Sequence, residues 1–292
     1  MQLQMFDQSR TRIVTPFKQP LLKWIGSKQR FAHEIGSYFP VQYGTYFEPF
    51  IGSGAVLGTL APSKAVGSDT FAPLVEIWQT LQSSQETLVE WYETRWNAMM
   101  KGDKKEEYER IKASCNSNPN GADMLFLCRS CYGGVVRFRK RDGYMSTPCG
   151  IHTPIHPDTF ARRAQEWQRR TSGTDFRLKD YEEIMESAES GDLIYCDPPY
   201  TYTQSILYGA QSFDLQNLLR VIQNCKSRNV FVALSIDGSK RSGDFICDLP
   251  IPTGLFEREV FVNIGKSMLK RFQMEGKSME GEEVSDRLLL TY

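Results

Sequence analysis

The chain has 292 residues, 40% of them hydrophobic and 24% charged, with 35 basic and 35 acidic side chains that give a formal net charge of +0. That composition describes a globular domain with a substantial core and excludes both a disordered chain and one held to nucleic acid by an overall basic field, so any such contact must come from a local patch. No apolar run approaches the roughly 20 residues needed to cross a bilayer, the first residues lack the apolar core of a signal peptide, and seven cysteines without a dense framework suit a reducing compartment; a cytoplasmic protein without membrane contact is expected.

In chain order, Lys23-Trp24-Ile25-Gly26-Ser27-Lys28 leads into a helical pattern of Phe31, Ile35 and Tyr38 that ends at Pro40. Gly26 and Ser27 are placed to cap that helix, and Lys28 with nearby backbone N–H groups suits a carboxylate. Tyr46-Phe47-Glu48 reads as a strand running into Pro49-Phe50-Ile51-Gly52-Ser53-Gly54 and a helix from Ala55. Strand, glycine-rich turn and helix open a nucleotide-binding α/β fold, but only two of the three glycines of the dinucleotide fingerprint are present, which argues against a dehydrogenase. A second strand over 64–68 ends on Asp69, where an acidic side chain can take ribose hydroxyls or cap the next helix.

From residue 84 the strand–helix alternation stops. Helices are predicted over 88–100, 105–113 and 122–131, and a hairpin over 135–144 turning at Asp142-Gly143. This stretch carries the densest basic cluster, Arg129, Arg137, Arg139, Lys140 and Arg141, interleaved with Tyr132, Phe138 and Tyr144. Such a hairpin suits phosphate contact and groove readout, although a solvated surface hairpin would share the pattern. Cys128, Cys131, Cys149 and His152 have zinc-ribbon-like spacing, yet the helical pattern of Leu125, Leu127, Cys128 and Cys131 suits buried thiols, and no metal is expected.

A helix over 157–170 restores the alternation, followed by a strand over 175–178, Asp180 and Tyr181, and a helix. The apolar run Leu193-Ile194-Tyr195-Cys196 then stops at Asp197-Pro198-Pro199-Tyr200, because proline cannot donate to a sheet ladder. In an open α/β sheet the tip of such a strand faces the ligand crevice. An exocyclic amine on a nucleobase is a poor nucleophile, and acceptors on both its hydrogens favour a more nucleophilic nitrogen. The Asp197 carboxylate and the Pro198 carbonyl can be those acceptors, while Tyr200 can stack on a base taken out of its helix. Polar residues to 211 suggest a loop over the crevice. A helix over 215–225, a strand over 230–235 and two antiparallel edge strands over 256–264 and 287–291 complete the chain, with a loop over 266–285.

The three ordered motifs, Lys23-Trp24-Ile25-Gly26-Ser27-Lys28, Glu48-Pro49-Phe50-Ile51-Gly52-Ser53-Gly54 and Asp197-Pro198-Pro199-Tyr200, with a basic insertion between the last two, resemble the Dam-like adenine-specific DNA methyltransferases. The resemblance implies a Rossmann-like sheet of seven strands with a reversed last strand, a donor-binding part over 1–83, an inserted, mostly helical target-recognition domain with a hairpin over 84–170, and the rest of the catalytic domain over 171–292. It implies S-adenosylmethionine as donor, S-adenosylhomocysteine as product, and transfer to N6 of an adenine flipped out of double-stranded DNA. Matched residue by residue, Lys23, Trp24 and Lys28 would lie near the methionine part of the donor, above Phe50, Gly52 and Gly54. Asp69 would meet its ribose, Asp180 and Tyr181 its adenine, and Asp197, which also borders the donor, would handle the target base with Pro198 and Tyr200. Arg129, Tyr132, Arg137, Arg139, Lys140 and Arg141 would face DNA. Restriction-modification or phage modification, a cognate endonuclease as partner and a monomeric state belong to the same expectation. The recognition region departs at Gly133 and Cys149, where members that read GATC carry Asn and Phe. The same chemistry on RNA or on cytosine is the rival favoured less by the basic hairpin, and intact Asp197 and Tyr200 speak against a binding protein that has lost turnover.

Overall fold

The computed structural model describes residues 11–139, 141–199, 213–240, 251–265 and 284–292. Tyr200, Lys140, the loop expected up to residue 211 and residues 266–283 of the loop expected over 266–285 lie outside them; the last two residues of that loop, 284 and 285, are corrected to strand. One sheet of seven strands organises the chain, in the order β3-β2-β1-β4-β5-β7-β6. These strands are β1 (Tyr46–Glu48), β2 (Ala65–Asp69), β3 (Thr174–Leu178), β4 (Leu193–Cys196), β5 (Phe231–Lys240), β6 (Arg258–Gly265) and β7 (Val284–Leu290). β1 to β5 run parallel, and β7 is antiparallel to both its neighbours, so the last strand is the reversed one.

The sheet is covered on both faces, which is why its central strands read as continuous apolar runs rather than as alternating ones. Alternation survives as a choice between two cores. Tyr46, Ala65, Leu193 and Tyr195 point into one core, and Phe47, Val66, Ile194 and Cys196 into the other. α8 (Tyr181–Glu186) and α9 (Leu215–Ser227) cover the second face, with Leu218, Leu219 and Ile222 buried. On the first face lie α1 (Ala32–Ser37), α2 (Ala55–Leu60) and α3 (Ala72–Ser83). Residues from α4 (Gln85–Lys101), α5 (Lys104–Ser117), α6 (Gly121–Ser130) and α7 (Pro157–Arg170) belong to the same continuous core.

Helix starts follow local chemistry. Ser84, Asp103, Asn120, Asp180 and Asp214 each accept a first-turn N–H and cap α4, α5, α6, α8 and α9. The expected cap at Ser27 is corrected: α1 starts at Ala32 with Phe31 in the cap position and no side-chain cap. The Ser27 hydroxyl instead accepts a hydrogen bond from Ser53 at 2.9 Å, which ties the segment before α1 to the glycine turn. α6 stops at Ser130, one residue earlier than its pattern predicts, because Cys131 turns extended and pairs with Cys149 across the neck of an arm. Phe138 pairs with Met145 further out, and the arm turns between Arg139 and Tyr144.

Strand order reverses between β1 and β4: from β1 the chain moves outward through β2 and β3, then returns to β4 on the other side. Such a switch point leaves a crevice at the carboxyl ends of the two strands. The glycine turn after β1 and the Asp197-Pro198-Pro199 tip after β4 meet there.

Candidate active site

A cavity of about 290 Å³ opens at this edge, near the lower end of the range for small-molecule sites. Trp24 to Lys28 form one wall, the turn from Pro49 to Ser53 forms the floor, and Asp69, Asp180, Tyr181, Asp197 and Pro199 stand around it. Of the residues expected at the donor, Trp24, Lys28, Phe50, Gly52, Asp69, Asp180, Tyr181 and Asp197 are thus brought to one cavity from five separate stretches of chain.

The floor is held by backbone geometry. Gly52 has φ +45°, its N–H donates to Asp69 Oδ2 at 3.3 Å, and its carbonyl accepts from Trp78 Nε1 at 3.2 Å. A Cβ at Gly52 would stand 3.2 Å from the Trp24 ring. Asp69 also accepts from Phe71 N–H at 3.0 Å, so one carboxylate fixes both the turn and the chain leaving β2. Burial pushes the Asp69 carboxyl up to about 6 despite these bonds. Phe50 stacks on Tyr181 at 5.2 Å, and Phe213 meets both rings edge-on. Tyr181 is aimed by Asn217, whose side-chain amide donates to its hydroxyl at 2.8 Å.

Lys28 is 6% exposed, and its Nζ lies 3.1 Å from Asp197 Oδ1. Beneath this pair sits Glu48, 3% exposed, which accepts from Tyr46 Oη at 2.7 Å and from Leu57 N–H at 2.9 Å. Burial pushes the Glu48 carboxyl up to about 8, with the charge of Asp197 adding to the rise. A carboxyl whose folded pKa exceeds its unfolded value of 4.5 contributes stability that is complete below pH 4.5 and is lost as pH rises through about 8. Between pH 5 and pH 8 the ligand-free protein should therefore lose more thermal stability than Glu48→Gln, whose amide keeps the acceptor and cannot ionise. Equal losses in the two proteins would show that Glu48 stays ionised throughout.

Two expected donor residues, Lys23 and Gly54, and one expected at the target base, Pro198, stand apart from the cavity lining. Lys23 is exposed and lies along Gly134 of the arm, where a Cβ would come within 3.0 Å of its Cδ. Gly54, with φ +61°, faces the Trp78 ring, which a Cβ would approach to 3.1 Å, so its role is close packing at the start of α2. Pro198 is outside the lining while Pro199 is part of it.

Arg129, expected on the DNA side, is corrected. It is 4% exposed, donates to the carbonyls of Leu21 and of Pro20, the latter at 3.3 Å, and lies over the Phe160 ring at 5.9 Å. It is an internal clamp on the segment that leads to Trp24. Tyr132 is 42% exposed, and Arg137, Arg139 and Arg141 are exposed on the arm. Arg139 stacks on Tyr144 at 4.1 Å, and both Arg139 and Arg141 pair with Asp142. Cys128 and Cys131 are buried, which pushes their thiols up to about 11 and about 12. Among the described residues no group of His, Cys, Asp and Glu is arranged to hold a metal ion, and no helix is long and apolar enough to cross a membrane.

Glu48, Phe213 and Asn217 carry no assigned role in the sequence reading. Glu48 sits inside a motif recognised for its glycines. Phe213 and Asn217 reach the site only through the return of α9, and no local signal marks them.

A parallel sheet with a reversed last strand, a glycine floor, an acidic residue after β2 and a prolyl tip after β4 together define a methyltransferase. The chain belongs to the D12 class of N6 adenine-specific DNA methyltransferases, whose family profile matches residues 24–262. It is 25% identical over 249 residues to the type II methyltransferase M1.LlaDCHI of Lactococcus lactis subsp. cremoris, covering 80% of this chain and 86% of that protein. It is 26% identical to the type II methyltransferase M.MjaIII of Methanocaldococcus jannaschii over 62% of this chain and 69% of that one. To a DNA adenine methylase of Vibrio cholerae it is 24% identical, over 75% of this chain and 81% of the relative.

Proposed function

We propose that the cavity binds S-adenosylmethionine and releases S-adenosylhomocysteine, and that Asp197, the Pro198 carbonyl and Tyr200 receive an adenine flipped out of duplex DNA. The observation that carries this reading is the convergence of Asp197 and the Lys28 wall on the cavity floored by Gly52 and Asp69. The residues present fit the donor. The Asp69 carboxylate can accept ribose hydroxyls, Phe50 and Tyr181 offer apolar faces to a purine beside Asp180, and the Gly52 turn leaves the space a side chain would fill. Trp24 and Lys28 also line the cavity and would take the methionine part.

When bound, S-adenosylmethionine supplies an electrophilic methyl group. The chain's own contribution is to hold the amine. Asp197 Oδ and the Pro198 carbonyl accept its two N–H bonds, which localises the nitrogen lone pair and points it toward the cavity. Lys28, buried beside Asp197, pairs with that carboxylate, and a carboxylate is an acceptor only. Tyr200 stacks on the flipped ring. On the arm, Arg137 reads a base, while Arg139, Lys140 and Arg141 hold phosphates and Tyr132 lies against the duplex. The names of the Lactococcus and Methanocaldococcus relatives support a place in a restriction-modification system with a cognate endonuclease.

Asp69→Ala should raise the dissociation constant for S-adenosylhomocysteine by about 10- to 100-fold, the scale of a hydrogen bond to a charged group, without changing which DNA sequence is methylated. Titration calorimetry reads the first quantity, and an unchanged constant would leave Asp69 only its role in fixing the turn.

A further inference from the structure

Arg137 is exposed on the arm, and its main chain is held from one side. Its N–H donates to Thr147 Oγ1 at 2.9 Å, and its carbonyl accepts from Ser146 N–H at 2.9 Å. Thr147 is 4% exposed, and its hydroxyl donates onward to the Val135 carbonyl at 2.7 Å. A backbone carbonyl in that place could accept from Arg137 and do nothing for Val135; a hydroxyl does both. The Thr147 side chain therefore stitches residues 135 and 137 to the returning strand of the arm.

That strand is in turn anchored to α5. Tyr108, fully buried, donates its hydroxyl to the Thr147 carbonyl at 2.8 Å. The Asn116 side chain accepts from Met145 N–H at 2.6 Å and donates to the Met145 carbonyl at 3.1 Å. Rigidity thus passes from a capped helix, through two side chains that bind backbone, to residues 145–147, and across the Thr147 hydroxyl to the Cα of Arg137. An exposed guanidinium on a long side chain is aimed mainly by where its backbone stands, and a recognition residue works only when its supporting shell is fixed.

We propose that Thr147 is a positioning residue for sequence discrimination, its hydroxyl setting Arg137 so that the guanidinium meets one base pair. The proposal rests on the reading of Arg137 as a base-reading residue. Thr147→Val keeps the shape and removes the hydroxyl, leaving the Arg137 N–H and the Val135 carbonyl without that partner.

The test uses the whole enzyme, its own site as mapped by sequencing methylated adenine in DNA from cells that make it, and duplexes each carrying one substituted base pair. Arg137→Ala should lower the kcat/KM preference at one position by about tenfold or more, the value of a bidentate base contact. Thr147→Val should lower preference at that same position by about three- to tenfold, a partial loss of the same contact, and Thr147→Ser should restore it. Affinity for S-adenosylhomocysteine should not move in any of them. A purely structural role would depress all duplexes alike and leave the ratios intact. Should Thr147→Val fail to fold, Tyr108→Phe, which removes the donor to the Thr147 carbonyl and keeps the ring, should shift the same position. If Arg137→Ala changes one position and neither Thr147→Val nor Tyr108→Phe touches it, the role of Thr147 is wrong and that of Arg137 stands. If Arg137→Ala leaves every ratio unchanged, the base-reading assignment fails and the proposal falls with it.

Discussion

Asp197→Ala is expected to bind S-adenosylhomocysteine with nearly the parent affinity while its turnover falls by about 10²- to 10³-fold, the usual cost of deleting one preorganised group that acts on developing charge. The carboxylate gains most when the amine nitrogen becomes positive, so its loss is felt in kcat rather than in donor binding. Removing it also takes from the buried Lys28 the carboxylate 3.1 Å away, which lowers stability. Donor affinity measured beside turnover separates the two effects. Asp197→Asn keeps one acceptor oxygen and should retain more activity than Asp197→Ala. If Asp197→Ala loses donor binding and turnover in proportion, the carboxylate serves the donor and the amine is oriented elsewhere.

Much of this site could be read from residues adjacent in sequence. Leu193 to Cys196 are all buried, as an apolar run ended by two prolines requires, and the acidic residues after strands, Asp69, Asp180 and Asp197, all border the cavity. Strand ends are legible because hydrophobic period and proline are local signals. The edge pairing of the last two strands was legible too, and it formed with β7 reversed.

What was hidden depends on distant neighbours. An arginine at the end of a helix, eight residues before other basic side chains, looks like part of their patch. Arg129 is buried because its acceptors at Pro20 and Leu21 lie 109 and 108 residues away in sequence. Gly54 reads as part of a donor floor until Trp78 and Trp167 are found against it. Ser27 has the identity of a cap, but the chain makes a turn from Lys28 to Phe31 before the helix begins. The elevated pKa of Glu48 likewise arises from a two-sided burial that no window of sequence displays.

Trp167→Ala should be the most destabilising of the substitutions considered, by about 3–5 kcal/mol, a large share of the roughly 5–15 kcal/mol that holds a domain folded. The side chain is fully buried at the point where α7 meets α2 and α3. Its ring lies 5.3 Å from Trp78 and 5.4 Å from Phe17, its Nε1 donates to the Gln19 carbonyl at 2.6 Å, and a Cβ on Gly58 would stand 2.5 Å from it. Truncation would open a cavity between α2, α3 and α7 and release the backbone at Gln19, just before the clamp on Pro20 and Leu21. Because Trp78 also donates to the Gly52 carbonyl, the loss should reach the donor site, weakening S-adenosylhomocysteine binding in a protein that is still folded. Denaturant unfolding should show a lower midpoint with an unchanged slope, and Trp167→Phe, which keeps the ring packing but not the hydrogen bond, should recover most of the difference. A midpoint for Trp167→Ala within error of the parent would mean that α7 and its helical neighbours do not share the stability of the catalytic core.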